Sequence, residues 1–469
     1  MIFSTPIFLF LFLPLTILIY YMANKKIQNT ILLIASLIFY AWGEPLLVGV
    51  MLSSILMNYF FGLLIIKKSH QKFILLLTVM YNLGMLFVFK YLMFFIENIN
   101  SLTGSSINVP IIPLPVGISF FTFQAMSYVI DVYRNEAKVQ KNLFSLALYI
   151  TFFPQLIAGP IVRYKDIDDQ IRSRAVNYNQ IYDGIRRFTI GLGKKVLIAN
   201  VVAEVCDSIF RINTSNWTTG MAWLAMICYT LQIYFDFSAY SDMAIGLGKM
   251  FGFDFLENFD HPYKSKSIKE FWRRWHISLS TWFRDYLYIP LGGNRKGKFR
   301  AYMNQLIVFI LCGFWHGASW NFLIWGLIHG GFLIIENVFL GKYLEKLYSP
   351  FRHFYTLIIV ITAWVFFRAE HLSDSFSIIH KMFIKSSNTS YDVQQFLNPL
   401  LIFTILIGIV ASSGYPVTVI KQLRKRSLEK VFKEKVFYAF ELFYLNTIIL
   451  LSMSAIASGA YNPFIYFRF

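Results

Sequence analysis

Of 469 residues, 57% are hydrophobic, 19% aromatic and only 14% charged, a balance that excludes an ordinary soluble domain. The 43 Lys and Arg exceed the 25 Asp and Glu by a formal charge of +18, but the bases sit between apolar stretches, at Lys25/Lys26, Lys67/Lys68, Arg134 to Lys141, Arg163 to Lys195, Lys249 to Arg300 and Lys421 to Lys435. This is the pattern of cytoplasmic loops under the positive-inside rule, so membrane lipid is the expected partner and nucleic acid is not.

Lipid offers nothing to an unpaired backbone group, so apolar stretches such as Ile31 to Leu47, Phe73 to Phe89 and Phe437 to Ala457 are predicted to be transmembrane helices. The alternating ten-residue strands of a membrane barrel are not seen. The opening MIFSTPIFLFLFLPLTILIYY has no basic residue ahead of its apolar run and no small-residue cleavage site, which predicts a retained first span rather than a secretory signal. From Lys25 the chain runs out to the Glu44/Pro45 turn and back to Lys67. A fourth span from Phe73 leads to the nearly uncharged loop Asn98 to Pro110, and Ile111 to Ile130 returns to Arg134.

Leu143 to Pro160 is apolar but carries Pro154 and Gly159-Pro160 and has bases on both sides, which predicts a re-entrant or broken helix. Beyond Lys195 the chain goes out to Asn213 to Gly220 and returns through Met221 to Tyr234. It then enters the basic stretch Lys249 to Arg300, with eleven Lys or Arg against five acids, the expected cytoplasmic core of the site. Spans at about 303 to 318, 320 to 339, 354 to 368, 399 to 415 and 436 to 457 complete roughly eleven crossings. The fold expected is an all-α polytopic integral membrane protein, 1–469 as a single domain, with re-entrant and interfacial helices besides the spans.

An ionisable group in the bilayer centre costs on the order of 3 kcal/mol on insertion scales, so the polar residues among these spans are informative. In FDFSAYSDMAIG, Asp236, Ser238, Tyr240, Ser241 and Asp242 interrupt an apolar run; they suit either hydrogen bonding between helices or substrate contact. In SIKEFWRRWHISLSTWFRDYLYIPLGG, residues 267 to 293, helical spacing puts Trp272, His276, Leu279 and Phe283 on one face with Arg273, Arg274 and Arg284 around it. That describes an interfacial amphipathic helix, in which the imidazole of His276 is either a satisfied buried side chain or a catalyst. In GFWHGASWNFLIWGLIHGG, residues 313 to 331, His316 and His329 lie within a span. Gly313 with Gly317, and Gly326 with Gly330, bracket them at the spacing that lets backbones approach. Such a histidine could be a general base, a proton relay or a metal ligand. Metal is the weakest option, because no cluster of Asp, Glu or Cys at ligand spacing stands beside either one, Cys312 four residues before His316 being a lone thiol, and none is assigned. Cys206, Cys228 and Cys312 are isolated in apolar sequence and predict neither disulfide nor zinc.

These blocks also carry a resemblance. FWRRWHISLSTWFRDYLYIPLGG, FWHGASWNF, YSDMAIGLGKMFGF and LPVGISFFTFQAMSYVIDVYR look like successive blocks of the membrane-bound O-acyltransferase (MBOAT) family, and the terminal NPFIYFRF is like the tail of its alginate O-acetyltransferase membrane-subunit branch. The resemblance implies a helical shell around a transmembrane tunnel in the bacterial cytoplasmic (inner) membrane. It implies an acyl donor, acetyl-CoA as co-substrate with no bound cofactor, entering from the cytoplasm, and an exported polysaccharide as acceptor. The family's active-site pair falls here on His276 and His316. His316 would take the proton of a hydroxyl or carry the acetyl group covalently, while His276 would orient the donor or, if protonated, steady an oxyanion. Arg273 and Arg274, with Lys269, would pair with donor phosphates or anchor the helix at the interface, and Trp272, Trp315, His329 and Asp242 complete the expected substrate contacts. The branch also implies an exported acetyltransferase partner protein to which the acetyl group is relayed. A D-alanyl transferase for teichoic acid, similar over the same histidine blocks, and a transporter of the acyl donor without chemistry are the rival readings.

Overall fold

A computed structural model describes residues 1–386, 391–427 and 431–465. Among them every regular element is helical. Residues 428–430 of the last basic cluster and the final four residues of NPFIYFRF lie outside the described residues. The chain resolves into two compact units, one of residues 1–188 and 243–256 and the other of 189–242 and 257–469. They interleave along the sequence, so no composition shift marks a boundary.

The first unit contains α1 (Phe8–Met22), α2 (Gln28–Ala41), α3 (Val48–Leu64) and α4 (Gln71–Thr103), then α5 (Ile118–Tyr133), α6 (Leu143–Thr151), α7 (Phe153–Leu156) and α8 (Tyr164–Arg172). Its outward faces are apolar. On α1, Phe10, Leu11, Leu15, Leu18, Ile19 and Met22 are exposed while Phe8, Phe12, Thr16 and Tyr20 are buried. Hydrophobic side chains on the outside at helical spacing mark a surface made for lipid. Inside, polar groups join helices: Asn58 of α3 and Asn82 of α4, both fully buried, exchange amide hydrogen bonds of 3.1 and 2.9 Å, as expected where no water competes. The broken helix predicted at Leu143 to Pro160 is present, with α6 ending at Thr151 and the four residues of α7 following Phe152. The backbone groups freed by the break are satisfied internally. The Phe153 N–H donates to Ser36 Oγ at 3.1 Å, and Gln155 Nε2 donates to the Tyr149 carbonyl at 2.6 Å, which is how non-helical backbone survives away from water.

After α9 (Tyr178–Gly193), the second unit contains α10 (Asn200–Phe210), most of α11 (Thr219–Met250), α12 (Ile268–Arg274), α13 (Ile277–Phe283), α14 (Lys298–His316), α15 (Trp320–Leu344), α16 (Ser349–Arg368), α17 (Leu372–Phe383), α18 (Pro399–Ser412), α19 (Tyr415–Ser427) and α20 (Val431–Ala457). Here too α18 turns Leu400, Phe403, Leu406 and Val410 outward and buries Thr404, Gly408 and Ser412.

By length and composition, four helices among the described residues can cross a membrane: α4, α15, α16 and the Lys435–Ala457 part of α20. The pair α18 and α19, bent by 61°, would make a fifth. The sequence reading counted about eleven, and the difference has a physical origin. Apolar runs read as whole spans end early or break; α1 spans 15 residues from Phe8 to Met22, about 22 Å of helix against a hydrocarbon core of about 30 Å.

Candidate active site

The single interfacial helix expected over 267 to 293 is two short helices, and this is the main correction the structure makes to the sequence reading. α12 is capped by Ser267, whose side chain accepts the Glu270 N–H, and ends at Arg274. α13 begins after His276, which sits at φ 42°, ψ 55°. A left-handed backbone at a residue with a Cβ is strained by roughly 1 kcal/mol or more, so the neighbours must hold it. Asn258 does so twice: its carbonyl accepts the Ile277 N–H at 2.9 Å and its side-chain Oδ1 accepts the Ser278 N–H at 3.2 Å. One residue pair further out, the Asp260 N–H donates to the Arg274 carbonyl at 2.9 Å.

The break turns the His276 ring into the protein, where it is fully buried between Phe237, edge-on at 4.6 Å, and Trp315 at 6.4 Å. Burial pushes its pKa down to about 3, so the imidazole is neutral. Its Nδ1 lies 3.1 Å from Asn258 Oδ1, while Nε2 has no hydrogen-bond partner among the described residues.

His316 is the last residue of α14, followed by Gly317 in an extended conformation. α14 and α15 form a hairpin so tight that a Cβ on Gly313 would lie 2.2 Å from the Phe322 carbonyl oxygen, and one on Gly326 2.3 Å from that of Phe309. The role read for these glycines from spacing is therefore met. The His316 ring packs against Trp315 at 5.0 Å, Trp325 at 5.2 Å and Phe367 of α16 at 5.0 Å. Trp325 also touches His329, one turn on along α15, at 4.9 Å. His329 Nδ1 accepts the indole N–H of Trp272 at 3.2 Å. Since an indole only donates, neutral His329 carries its proton on Nε2.

Five of the expected residues, His276, Trp315, His316, His329 and Trp272, thus share one buried aromatic cluster, linked through Trp315 and Trp325. Two others are engaged elsewhere. Arg274 binds Glu270 at 3.0 Å and also Asp260, latching the loop before α12 to the helix end. Asp242 on α11 pairs with Lys194 at 2.6 Å. Of the FDFSAYSD motif, Asp236 makes a 2.8 Å ion pair with Lys195, with side chains 1% and 3% exposed, and accepts the Ile465 N–H at 2.9 Å.

Beside the cluster lies a cavity of about 690 Å³ lined by Trp272 and Phe283 and by the cations Lys269, Arg273, Arg284 and Lys298. Among the described residues no acid lines it. Three site residues escaped sequence reasoning. Trp325 is legible at spacing four from His329. Phe367 lies in a span with no polar signal, and nothing local in the sequence marks Asn258.

A buried cluster of histidines beside a cation-lined cavity, in a chain with apolar membrane-crossing helices, fits a group-transfer site. The MBOAT, membrane-bound O-acyltransferase family model matches residues 69–379, a range that includes every histidine of the cluster. The chain belongs to this family and is an O-acyltransferase. It is 43% identical over 424 residues, 88% of this chain and 85% of the relative, to a probable alginate O-acetylase of Azotobacter vinelandii. It is 37% identical over 444 residues, 85% of this chain and 83% of the relative, to a peptidoglycan O-acetyltransferase of Helicobacter pylori. A teichoic acid D-alanyltransferase of Bacillus subtilis is 31% identical over 261 residues, 54% of this chain and 66% of the relative.

Proposed function

We propose that this protein takes an acetyl group from acetyl-CoA on the cytoplasmic side of a bacterial inner membrane and passes it across for O-acetylation of an exported polysaccharide, alginate-like, peptidoglycan or another cell-surface glycan. The observation that carries the proposal is the pairing of His276 and His316 in one aromatic cluster beside a cavity lined by four cations. The coverage and identity of the glycan-acetylating relatives, against the shorter match to the D-alanyl transferase, favour acetyl over D-alanyl transfer. The crossings beyond the four or five read from length and hydropathy are assigned to the shorter helices, α1 to α3 among them, with the bilayer thinning to meet them, giving about eleven around a tunnel.

A sugar hydroxyl or a carrier hydroxyl is a weak nucleophile, and a neutral imidazole can take its proton as it attacks a thioester carbonyl. His316 fills that role or accepts the acetyl group itself before handing it on. Lys269 and Arg273 at the cavity suit the phosphates of coenzyme A as charge-assisted donors, whereas Arg274 is already spent on Glu270 and Asp260. In this reading the donor acts as a co-substrate. The acetyl group leaves either directly to glycan or to an exported acetyltransferase partner.

The test is transfer of label from acetyl-labelled coenzyme A by the full-length protein in liposomes, wild type beside His316→Ala, with and without an exported partner. Label reaching an acceptor, and lost in the variant at equal protein level, is expected. Acetyl or coenzyme A crossing the bilayer unchanged, and equally well in the variant, would replace the transferase mechanism with transport.

A further inference from the structure

The geometry around His276 assigns a role to a residue that neither the histidine pair nor the cavity calls for. We propose that Asn258 is the positioning residue of His276: by accepting its Nδ1–H, it fixes the tautomer whose bare Nε2 serves acyl transfer as a hydrogen-bond acceptor. The inference rests on the reading of His276 as a site residue.

The tautomer follows from a chain of donors. The Ser278 backbone N–H can only donate, and it points at the Asn258 side chain at 3.2 Å; the atom facing it must therefore be the amide oxygen, and a flipped amide would oppose two donors. The same oxygen receives the Ser278 hydroxyl at 2.9 Å, and the amide nitrogen donates to Ser241 Oγ at 3.0 Å. With the oxygen so fixed, the His276 Nδ1 at 3.1 Å has to be the donor. A neutral ring carrying its proton on Nδ1 leaves a lone pair on Nε2, and that atom is buried with no partner among the described residues.

The consequence separates the roles that the sequence left open for this histidine. Steadying an oxyanion needs an N–H at Nε2, which this tautomer lacks. Accepting a hydrogen bond from an attacking hydroxyl, or from an amide N–H of the donor's arm, needs a bare Nε2. His329 has the opposite tautomer, proton on Nε2, because Trp272 donates to its Nδ1; the two rings are not interchangeable. Asn258 is fully buried, and it also secures the strained turn through Ile277 and Ser278. The same residue that makes the break therefore sets the proton position on the ring that the break delivers.

The experiment is solid-state nitrogen NMR of the full-length protein in lipid bilayers with ring-labelled histidine, the His276 signals being assigned by their loss in His276→Gln. A protonated Nδ1 and bare Nε2 are expected in wild type and in Asn258→Asp, which keeps an acceptor in place. Asn258→Leu is expected to give mixed or inverted tautomers and a kcat/KM lower by about 10- to 100-fold, the scale seen when metal-bound histidines lose their hydrogen-bond partner. A wild-type Nε2–H overturns the proposal whether or not the protein acetylates anything, as does full activity in Asn258→Leu. Undiminished transfer by His276→Gln would instead remove His276 from the site, an outcome read separately because the tautomer is seen by spectroscopy.

Discussion

Arg273 and Arg274 are neighbours of one residue type with different surroundings. Arg273 faces the cavity, and Arg274 is held by Glu270 and Asp260. If the cavity takes a phosphorylated donor, Arg273→Gln should raise the donor KM several-fold with little effect on melting temperature. Arg274→Gln should do the reverse, lowering stability by about 1 kcal/mol, the scale of partly exposed ion pairs, and leaving KM alone. Measuring both quantities for both variants checks the assignment, and an unchanged KM in Arg273→Gln would return that residue to membrane anchoring. The helical period could not separate the two, because both lie on α12 and what distinguishes them, the cavity wall and Asp260, comes from segments outside that helix. No glycine or proline announces the break at His276, since a left-handed residue is ordinarily glycine or asparagine. It exists because Asn258 pays for the strain with backbone and side-chain hydrogen bonds from a segment eighteen residues earlier.

At the scale of elements, the α14–α15 hairpin positions both His316 and His329. The required approach is set by Gly313 and Gly326, where an added Cβ would meet a carbonyl oxygen of the facing helix at 2.2 or 2.3 Å. Gly326→Ala should therefore push the helices apart, costing about 1–3 kcal/mol as overpacking does, and lower acyl transfer although it removes no polar group. Gly331→Ala, where nothing lies within 4 Å of an added Cβ, should leave melting temperature and activity near wild type. Equal effects of the two would mean that the hairpin is not the positioning element. The glycine spacing was legible because close packing in lipid selects small residues whatever the fold. The breaks at Phe152 and Trp275–His276 had unequal signals: Pro154 and Gly159-Pro160 announced the first, and nothing local announced the second.

At the scale of the whole molecule, the second unit is tied to its own C-terminal segment. Asp236 accepts the Ile465 N–H, Lys195 reaches the Pro463 carbonyl, Asn200 holds Asn462 at 3.2 Å, and Tyr461 donates to Asp207 at 2.8 Å. Asp207 in turn pairs with Arg368 at 2.6 Å, at the end of α16 next to Phe367, which packs on His316. Lys195→Met would leave Asp236 charged and buried without its partner, a change worth about 3–5 kcal/mol. The double variant Lys195→Met with Asp236→Asn should recover a large part of that loss in melting temperature. Failure of the second change to rescue would show that the tail contacts, rather than charge compensation, dominate.

The membrane class, the all-helical architecture and the two histidine blocks were determined by the sequence itself, because lipid imposes them locally: apolar length, basic loops and glycine spacing need no knowledge of distant contacts. The tertiary structure alone decided that α12 and α13 part at a left-handed His276, that Asp236 serves the C-terminal segment, and which acceptors and donors face the ring nitrogens of His276 and His329. Those features depend on groups far apart in the chain, and a buried polar atom takes its role from whichever donor or acceptor the fold brings to it.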